Sequence, residues 1–169
     1  LEAKKKLFKM CKIAVLNSDD EYYKEIAEGL DCKVVTYSAG DHSTYSAKAI
    51  KYKPASVDYE FVSDTHINHV KVNTGGKFTV YNSISALVCA VELGYPLDKS
   101  ALSLLQLEGV KGRAEVVDCG KDFTVIIDYA HTPDGLKNIL SAFKEIKKGS
   151  ELECPKCGEK QENIKDEAK

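Results

Sequence analysis

Apolar and polar positions alternate along the chain in two rhythms that predict its elements in order. Glu2 to Met10 has helical composition with Leu7 and Phe8 as its apolar positions, and it runs into Lys12-Ile13-Ala14-Val15-Leu16, a short β-rich run. Asn17-Ser18-Asp19-Asp20 ends that strand and offers side-chain oxygens to cap a helix with Tyr22, Tyr23, Ile26 and Leu30 at helical spacing and a stop near Gly29. Lys33 to Tyr37 is a second strand, so the opening pattern predicts parallel strands with covering helices. Ala47 to Tyr52, Tyr59 to Val62 and Ile67 to Val72 then alternate with period two, as antiparallel strands with one wet face do. Val80 to Leu93 is an amphipathic helix ending at Gly94. Asp98 caps a second helix with Leu102, Leu105 and Leu107, which stops at Gly109.

Val110-Lys111-Gly112-Arg113 looks like a linker, because a new pair of strands, Ala114 to Val117 and Phe123 to Ile127, follows it around a turn at Gly120. Pro133 opens a helix with Leu136, Ile139, Leu140 and Phe143 on one side, and the apolar period fails after Lys148. The fold class is therefore α/β. Residues 1–110, 111–148 and a polar tail, 149–169, are the expected divisions.

Composition narrows the function. The chain has 169 residues, 43% of them hydrophobic and 30% charged, as soluble globular proteins have. A net charge of −2 gives no electrostatic footprint for nucleic acid, and the lysine runs at Lys4-Lys5-Lys6 and Lys147-Lys148 have acidic neighbours, as solvated helix faces do. No apolar run reaches the roughly 20 residues needed to span a bilayer. With no signal sequence and cysteines that read as reduced thiols, a cytoplasmic location is the expectation. The chain begins at Leu1 inside a helical pattern, which reads as the middle of a longer protein.

The sharpest chemical feature is Asp128-Tyr129-Ala130-His131-Thr132-Pro133-Asp134, placed where a strand feeds a helix, the position at which open α/β sheets bind ligands. A carboxylate there accepts ribose hydroxyls, and His131 is able to bond or stack on a base. A capped loop with a turn-forming Pro-Asp-Gly accounts for the same letters.

That segment, taken with Val110-Lys111-Gly112-Arg113-Ala114-Glu115, Phe78-Thr79-Val80-Tyr81-Asn82, Asn17-Ser18-Asp19-Asp20 and Ala3-Lys4-Lys5-Lys6-Leu7-Phe8, resembles the Mur ligases. The likeness is strongest to the MurE branch, which adds meso-diaminopimelate or lysine to UDP-N-acetylmuramoyl-L-alanyl-D-glutamate in peptidoglycan synthesis. It covers residues 1 to about 148. It implies the second half of a central ATPase domain, a sheet with covering helices, followed by the start of a Rossmann-like C-terminal domain.

The resemblance also implies site residues. Lys4 matches the carbamylated lysine that helps hold Mg²⁺, since a carbamate turns a cation into an anion with two hard oxygens; three successive lysines at a chain start are otherwise simply exposed. Asn82 matches the asparagine lying against adenine, Arg113 the arginine that reaches ATP phosphate, and Asp128 the ribose-binding aspartate, with His131 near the same nucleotide. A helix-start residue and a surface ion pair with Glu115 are the plainer readings of Asn82 and Arg113. Thr79 stands where some relatives carry asparagine, and no role is assigned to it.

The implied reaction uses ATP to convert a substrate carboxylate to an acyl phosphate, which an amine then attacks. Its partners are the UDP-muramoyl-dipeptide and an amino acid, and no residue of this chain is assigned as catalytic. The sequence contains no Gly-x-x-x-x-Gly-Lys-Ser/Thr phosphate loop, nor the family's Gly-Cys-Gly-Gly segment or Asp-Asn-Pro-Arg motif. The expectation is a fragment that is inactive alone. Cys154-Pro155-Lys156-Cys157-Gly158 has the shape of half a zinc knuckle, and two further ligands would have to come from elsewhere. From it comes the other expectation, a non-catalytic binding module on a ligase-derived scaffold.

Overall fold

The computed structural model describes residues 1–40, 43–121 and 123–149, with backbone alone considered for 145–149. Two compact units are present, one of Leu1–Tyr129 and one that begins at Ala130.

In the first unit the elements run α1 (Glu2–Phe8), β1 (Ile13–Asn17), α2 (Tyr23–Ala27), β2 (Lys33–Ser38), β3 (Tyr45–Tyr52), β4 (Val57–Val62), β5 (Ile67–Val72), α3 (Lys77–Glu92), α4 (Leu97–Leu105), β6 (Glu115–Val117) and β7 (Val125–Ile127). The first five strands form one sheet in sequence order. β1 pairs parallel with β2 in the register Ile13 to Lys33, and β2 pairs parallel with β3 through Tyr37 and Tyr45. β3, β4 and β5 are antiparallel. The parallel and antiparallel runs thus form one mixed sheet, because β3 pairs with both kinds of neighbour.

Period-two alternation decides what each strand buries. Ile13 and Val15 turn toward the main core, while Ala14 and Leu16 turn the other way, toward Ile26, Phe8 and Leu30. On β4 and β5, Val57, Tyr59, Phe61, Val70 and Val72 face the core. Asp58, Glu60, His69 and Lys71 pair across the other face, where Lys53 and His69 lie 3.4 and 3.6 Å from Asp58. The predicted wet face is present. Helix α3 covers the core face with Val80, Ile84, Leu87 and Val88, spaced as one helical stripe, and burying each stabilises the unit by about 1.5–3 kcal/mol. Its Ser83 hydroxyl meets the buried Tyr59 hydroxyl at 3.0 Å.

Several helix boundaries differ from the sequence pattern, among them the end of α4 at Leu105 rather than at Gly109. α2 ends at Ala27 because Glu28 turns extended and Gly29 takes φ +71°, although Leu30 still joins the apolar cluster. α4 starts at Leu97 with Pro96 as its N-cap, and the Asp98 carboxylate accepts the Asn68 side chain at 2.6 Å instead of capping. α3 starts three residues before Val80, after Gly76 at φ +94°. Gly75 is required there by close approach: a Cβ on it would stand 2.2 Å from the Pro54 carbonyl oxygen.

β6 and β7 form a two-stranded antiparallel hairpin in the register Glu115 to Ile127. In the second unit, α5 (Pro133–Gly149) begins as predicted. Thr132 caps it, its hydroxyl accepting the Gly135 N–H at 3.2 Å, with Pro133 at the first helical position. Leu136 and Leu140 on this helix are exposed.

Candidate functional site

Arg113 and Asp128 come together because the hairpin is closed by its own ends. The Gly112 carbonyl accepts the Tyr129 N–H at 2.8 Å, and Asp128 Oδ2 accepts the Ala114 N–H at 2.8 Å. Ala114 is buried at φ +45°, a conformation that costs an L-residue on the order of 1–3 kcal/mol and that these flanking bonds hold in place. The Arg113 guanidinium lies over the Tyr129 ring, 5.8 Å from its centroid. Glu115 Oε2 accepts the Gly112 N–H at 2.8 Å, a further backbone bond at this end of the hairpin. A carboxylate has about four lone-pair positions, and the Ala114 N–H occupies one of those on Asp128.

The other expected residues stand on separate elements. Asn82 is exposed on the second turn of α3, and its carbonyl accepts the Ser85 hydroxyl. Lys4 is exposed on α1, beside Lys5, which pairs with Glu25 at 2.9 Å. His131 is exposed and lies in the second unit. Thr79, left without a role by the sequence, is buried and donates its hydroxyl to the Gly75 carbonyl at 2.8 Å, fastening the start of α3. Cys154 and Cys157 lie outside the described residues. Among the described residues no three His, Cys, Asp or Glu side chains group as a metal site.

The structure adds one node that sequence reasoning missed. Asp19, just past β1, accepts the Ser38 hydroxyl at 2.8 Å, the Ala39 N–H at 2.8 Å and the Tyr81 hydroxyl at 3.0 Å. It therefore ties the ends of β1 and β2 to the residue before Asn82. The signal was the oxygen-rich run Asn17-Ser18-Asp19-Asp20, which reads as helix-capping chemistry. Locally, Asn17 Oδ1 accepts the Asp19 N–H at 3.0 Å and Asp20 accepts the Tyr22 N–H at 2.9 Å, but α2 has Tyr22 as its N-cap and no side-chain cap bond.

Partial burial works to raise the Asp19 carboxyl, but the bonds from Ser38, Ala39 and Tyr81, with Lys77 nearby, prevail and hold it below the usual carboxylate value. Burial, then the hydrogen bond to Asp19 and its charge, push Tyr81 up to about 12. The folded state thus favours ionised Asp19, and its contribution is complete above the ordinary carboxylate range. It is lost as pH falls through about 4 and below. Urea unfolding of Asp19→Asn should show a flatter loss of stability between roughly pH 5 and 3 than the parent chain; equal slopes would remove the node from the account.

Comparisons with known proteins bear on the whole chain. The model of the Mur ligase middle domain matches residues 1–90, and that of the Mur ligase glutamate ligase domain matches residues 112–167. The UDP-N-acetylmuramoyl-L-alanyl-D-glutamate–2,6-diaminopimelate ligase of Caldanaerobacter subterraneus is 41% identical over 152 residues, 89% of this chain and 31% of that protein. The ligase of the same name from Bacillus cereus is 38% identical over 87% of this chain and 30% of its own length. The chain thus spans about a third of the length of these relatives. A solved diaminopimelate ligase superposes with TM-score 0.70 at 30% identity, covering 85% of this chain and 31% of that one. MurF from Acinetobacter baumannii, at 21% identity, superposes with TM-score 0.76 over 85% of this chain and 32% of its own, and so shows the fold. With its middle-domain match alone spanning more than half of the residues, the chain belongs to the Mur ligase family.

Proposed function

We propose that this chain is the nucleoside-contacting part of a MurE-type ATP-dependent amide ligase, which adds the third stem-peptide residue to UDP-N-acetylmuramoyl-L-alanyl-D-glutamate in the cytoplasm. The observation that carries the reading is the closed end of the β6–β7 hairpin, where Arg113 and Asp128 are presented by paired backbone bonds. In the whole ligase, transfer of the terminal phosphoryl group of ATP to a substrate carboxylate gives an acyl phosphate, from which an amine displaces phosphate.

Within that reaction, the residues of this chain bind and orient. Asp128 accepts from ribose hydroxyls, and its bond to Ala114 fixes the carboxylate plane. Arg113 offers a planar fork of donors to phosphate oxygens, with its rotamer restrained by the Tyr129 ring. Asn82 offers an amide to the base from α3, whose start is held by Thr79 and by the Asp19–Tyr81 bond. Lys4 is the residue for the carbamate, but carbamylation needs the neutral amine, and an exposed helix position is not the low-dielectric setting that favours it. No step is therefore routed through Mg²⁺. The non-catalytic scaffold reading depends on the cysteine knuckle, which has no observation behind it among the described residues.

A chimera tests this proposal. Residues 1–148 replace the matching segment of the Caldanaerobacter ligase, and ATP-dependent addition of diaminopimelate is measured. Activity within about 100-fold of the parent is expected, with Asp128→Ala lowering kcat/KM a further 10–100-fold, the loss of roughly 1.4–2.7 kcal/mol of charge-assisted bonding. A folded chimera indifferent to Asp128→Ala would refute the assignment.

A further inference from the structure

We propose that Cys11 and Cys32 form a dithiol site, which a low-molecular-weight disulfide oxidises to an internal Cys11–Cys32 bond. Their sulfurs lie 3.7 Å apart, although 21 positions separate them in sequence. The pairing follows from the sheet. β1 and β2 are in parallel register from Ile13 and Lys33, and the Lys33 N–H still bonds to the Lys12 carbonyl one step earlier. The two cysteines therefore sit at the entry to adjacent strands, just before the ladder begins. Neither lies in a regular element, so the backbone is free to move the sulfurs to the roughly 2.05 Å of a disulfide.

Both cysteines are half-buried against the Ala14, Leu16 and Ile26 cluster, open on one side to a small reagent. Cys11 also donates to the Phe8 carbonyl at 3.0 Å, which links the site to the last residue of α1. Burial first, and then the Cys32 sulfur, push the Cys11 thiol up. A raised thiol holds less thiolate near neutral pH, so exchange at the pair quickens as pH rises.

The step balances as two exchanges. A thiolate of the pair attacks one sulfur of the small disulfide, forming a mixed disulfide and expelling one small thiolate. The second protein thiolate attacks the protein sulfur of that mixed disulfide, forming the Cys11–Cys32 bond and expelling the other. Two electrons pass from the protein to the oxidant, and the protein's two protons end on the released thiols. The new bond fastens the α1–β1 junction to the start of β2, closing a loop that contains β1 and α2.

The test uses the whole 169-residue chain with oxidised glutathione, capping of remaining thiols, and a tryptic map. The linked peptides 10–12 and 25–33 are expected as the main product. The oxidised chain should melt on the order of 10 °C higher, an effect reversed by dithiothreitol and absent in Cys32→Ser. Stable glutathione adducts on Cys11 or Cys32, or their linkage to Cys89, Cys119, Cys154 or Cys157, would overturn the proposal. So would equal melting temperatures of the linked and reduced chains. The map is read on the unaltered chain, so it does not depend on the variant folding.

Discussion

Phe61→Ala is expected to cost the first unit about 3–5 kcal/mol, the usual range for removing a buried aromatic side chain. Phe61 is 1% exposed near the end of β4, where Ala47 opposes it across the sheet and the Tyr45 ring lies 5.3 Å away. Tyr45 in turn hydrogen-bonds Glu92 at the end of α3, at 3.0 Å, so the hole would open between sheet and helix where a polar contact depends on the same packing. Native domains are stable by only about 5–15 kcal/mol, so this single change should lower the melting temperature by roughly 6–20 °C. Tyr59→Phe, one alternate position away, keeps the ring and loses one hydroxyl bond to Ser83, which still donates to the Val80 carbonyl. It should cost only about 1 kcal/mol. Calorimetry on the two variants side by side checks both numbers, and similar melting temperatures would mean that β4 is not the centre of the core.

Gly75→Ala is the second large effect, and it joins stability to the proposed site. The added methyl would fall 2.2 Å from the Pro54 carbonyl oxygen and 2.9 Å from that of Lys53, both backbone atoms that cannot swing aside as a side chain would. Overpacking of this kind costs about 1–3 kcal/mol where neighbours yield, and more where the obstruction is backbone. The relief has to come from moving the β3–β4 turn or the start of α3. Moving α3 also stretches the Thr79 bond to Gly75 and the Tyr81 bond to Asp19, both within two turns of Asn82. The variant should therefore lose stability and, in the chimeric ligase, nucleotide affinity together. Gly94→Ala is the control: its Cβ meets nothing within 4 Å, and only the positive φ of +87° is strained, so it should lower stability alone.

These two sites also mark what the sequence made legible. Alternation within β4 and β5 announced both the strands and their one wet face, because each face has one environment and a one-residue slip would expose Phe61 and Tyr59. Arg113 and Asp128 were visible as motif positions. The closed hairpin end that presents them was not, since it depends on Ala114 in a conformation that its residue type does not advertise. The start of α3 was placed too late because Gly75-Gly76 reads as a separator, whereas Gly75 is demanded by the Pro54 carbonyl across the fold. The Asp19 node joins positions 19, 38, 39 and 81, and the Cys11–Cys32 contact joins positions 11 and 32. Periodicity along the chain carries no information about such long-range pairings. α2 failed for the opposite reason: Leu30 keeps its apolar spacing and its place in the cluster, but reaches it beyond a glycine turn.

Calorimetric titration with adenosine and with ATP, on the chain and its Asp128→Ala variant, shows whether it keeps nucleoside contacts without a phosphate cradle. Weak binding, near millimolar, is expected, with ATP favoured over adenosine by no more than about tenfold, the roughly 1.4 kcal/mol that one charge-assisted contact from Arg113 provides. Asp128→Ala should abolish both. A preference for ATP of more than about 100-fold, or binding that Asp128→Ala leaves unchanged, would contradict the assignment.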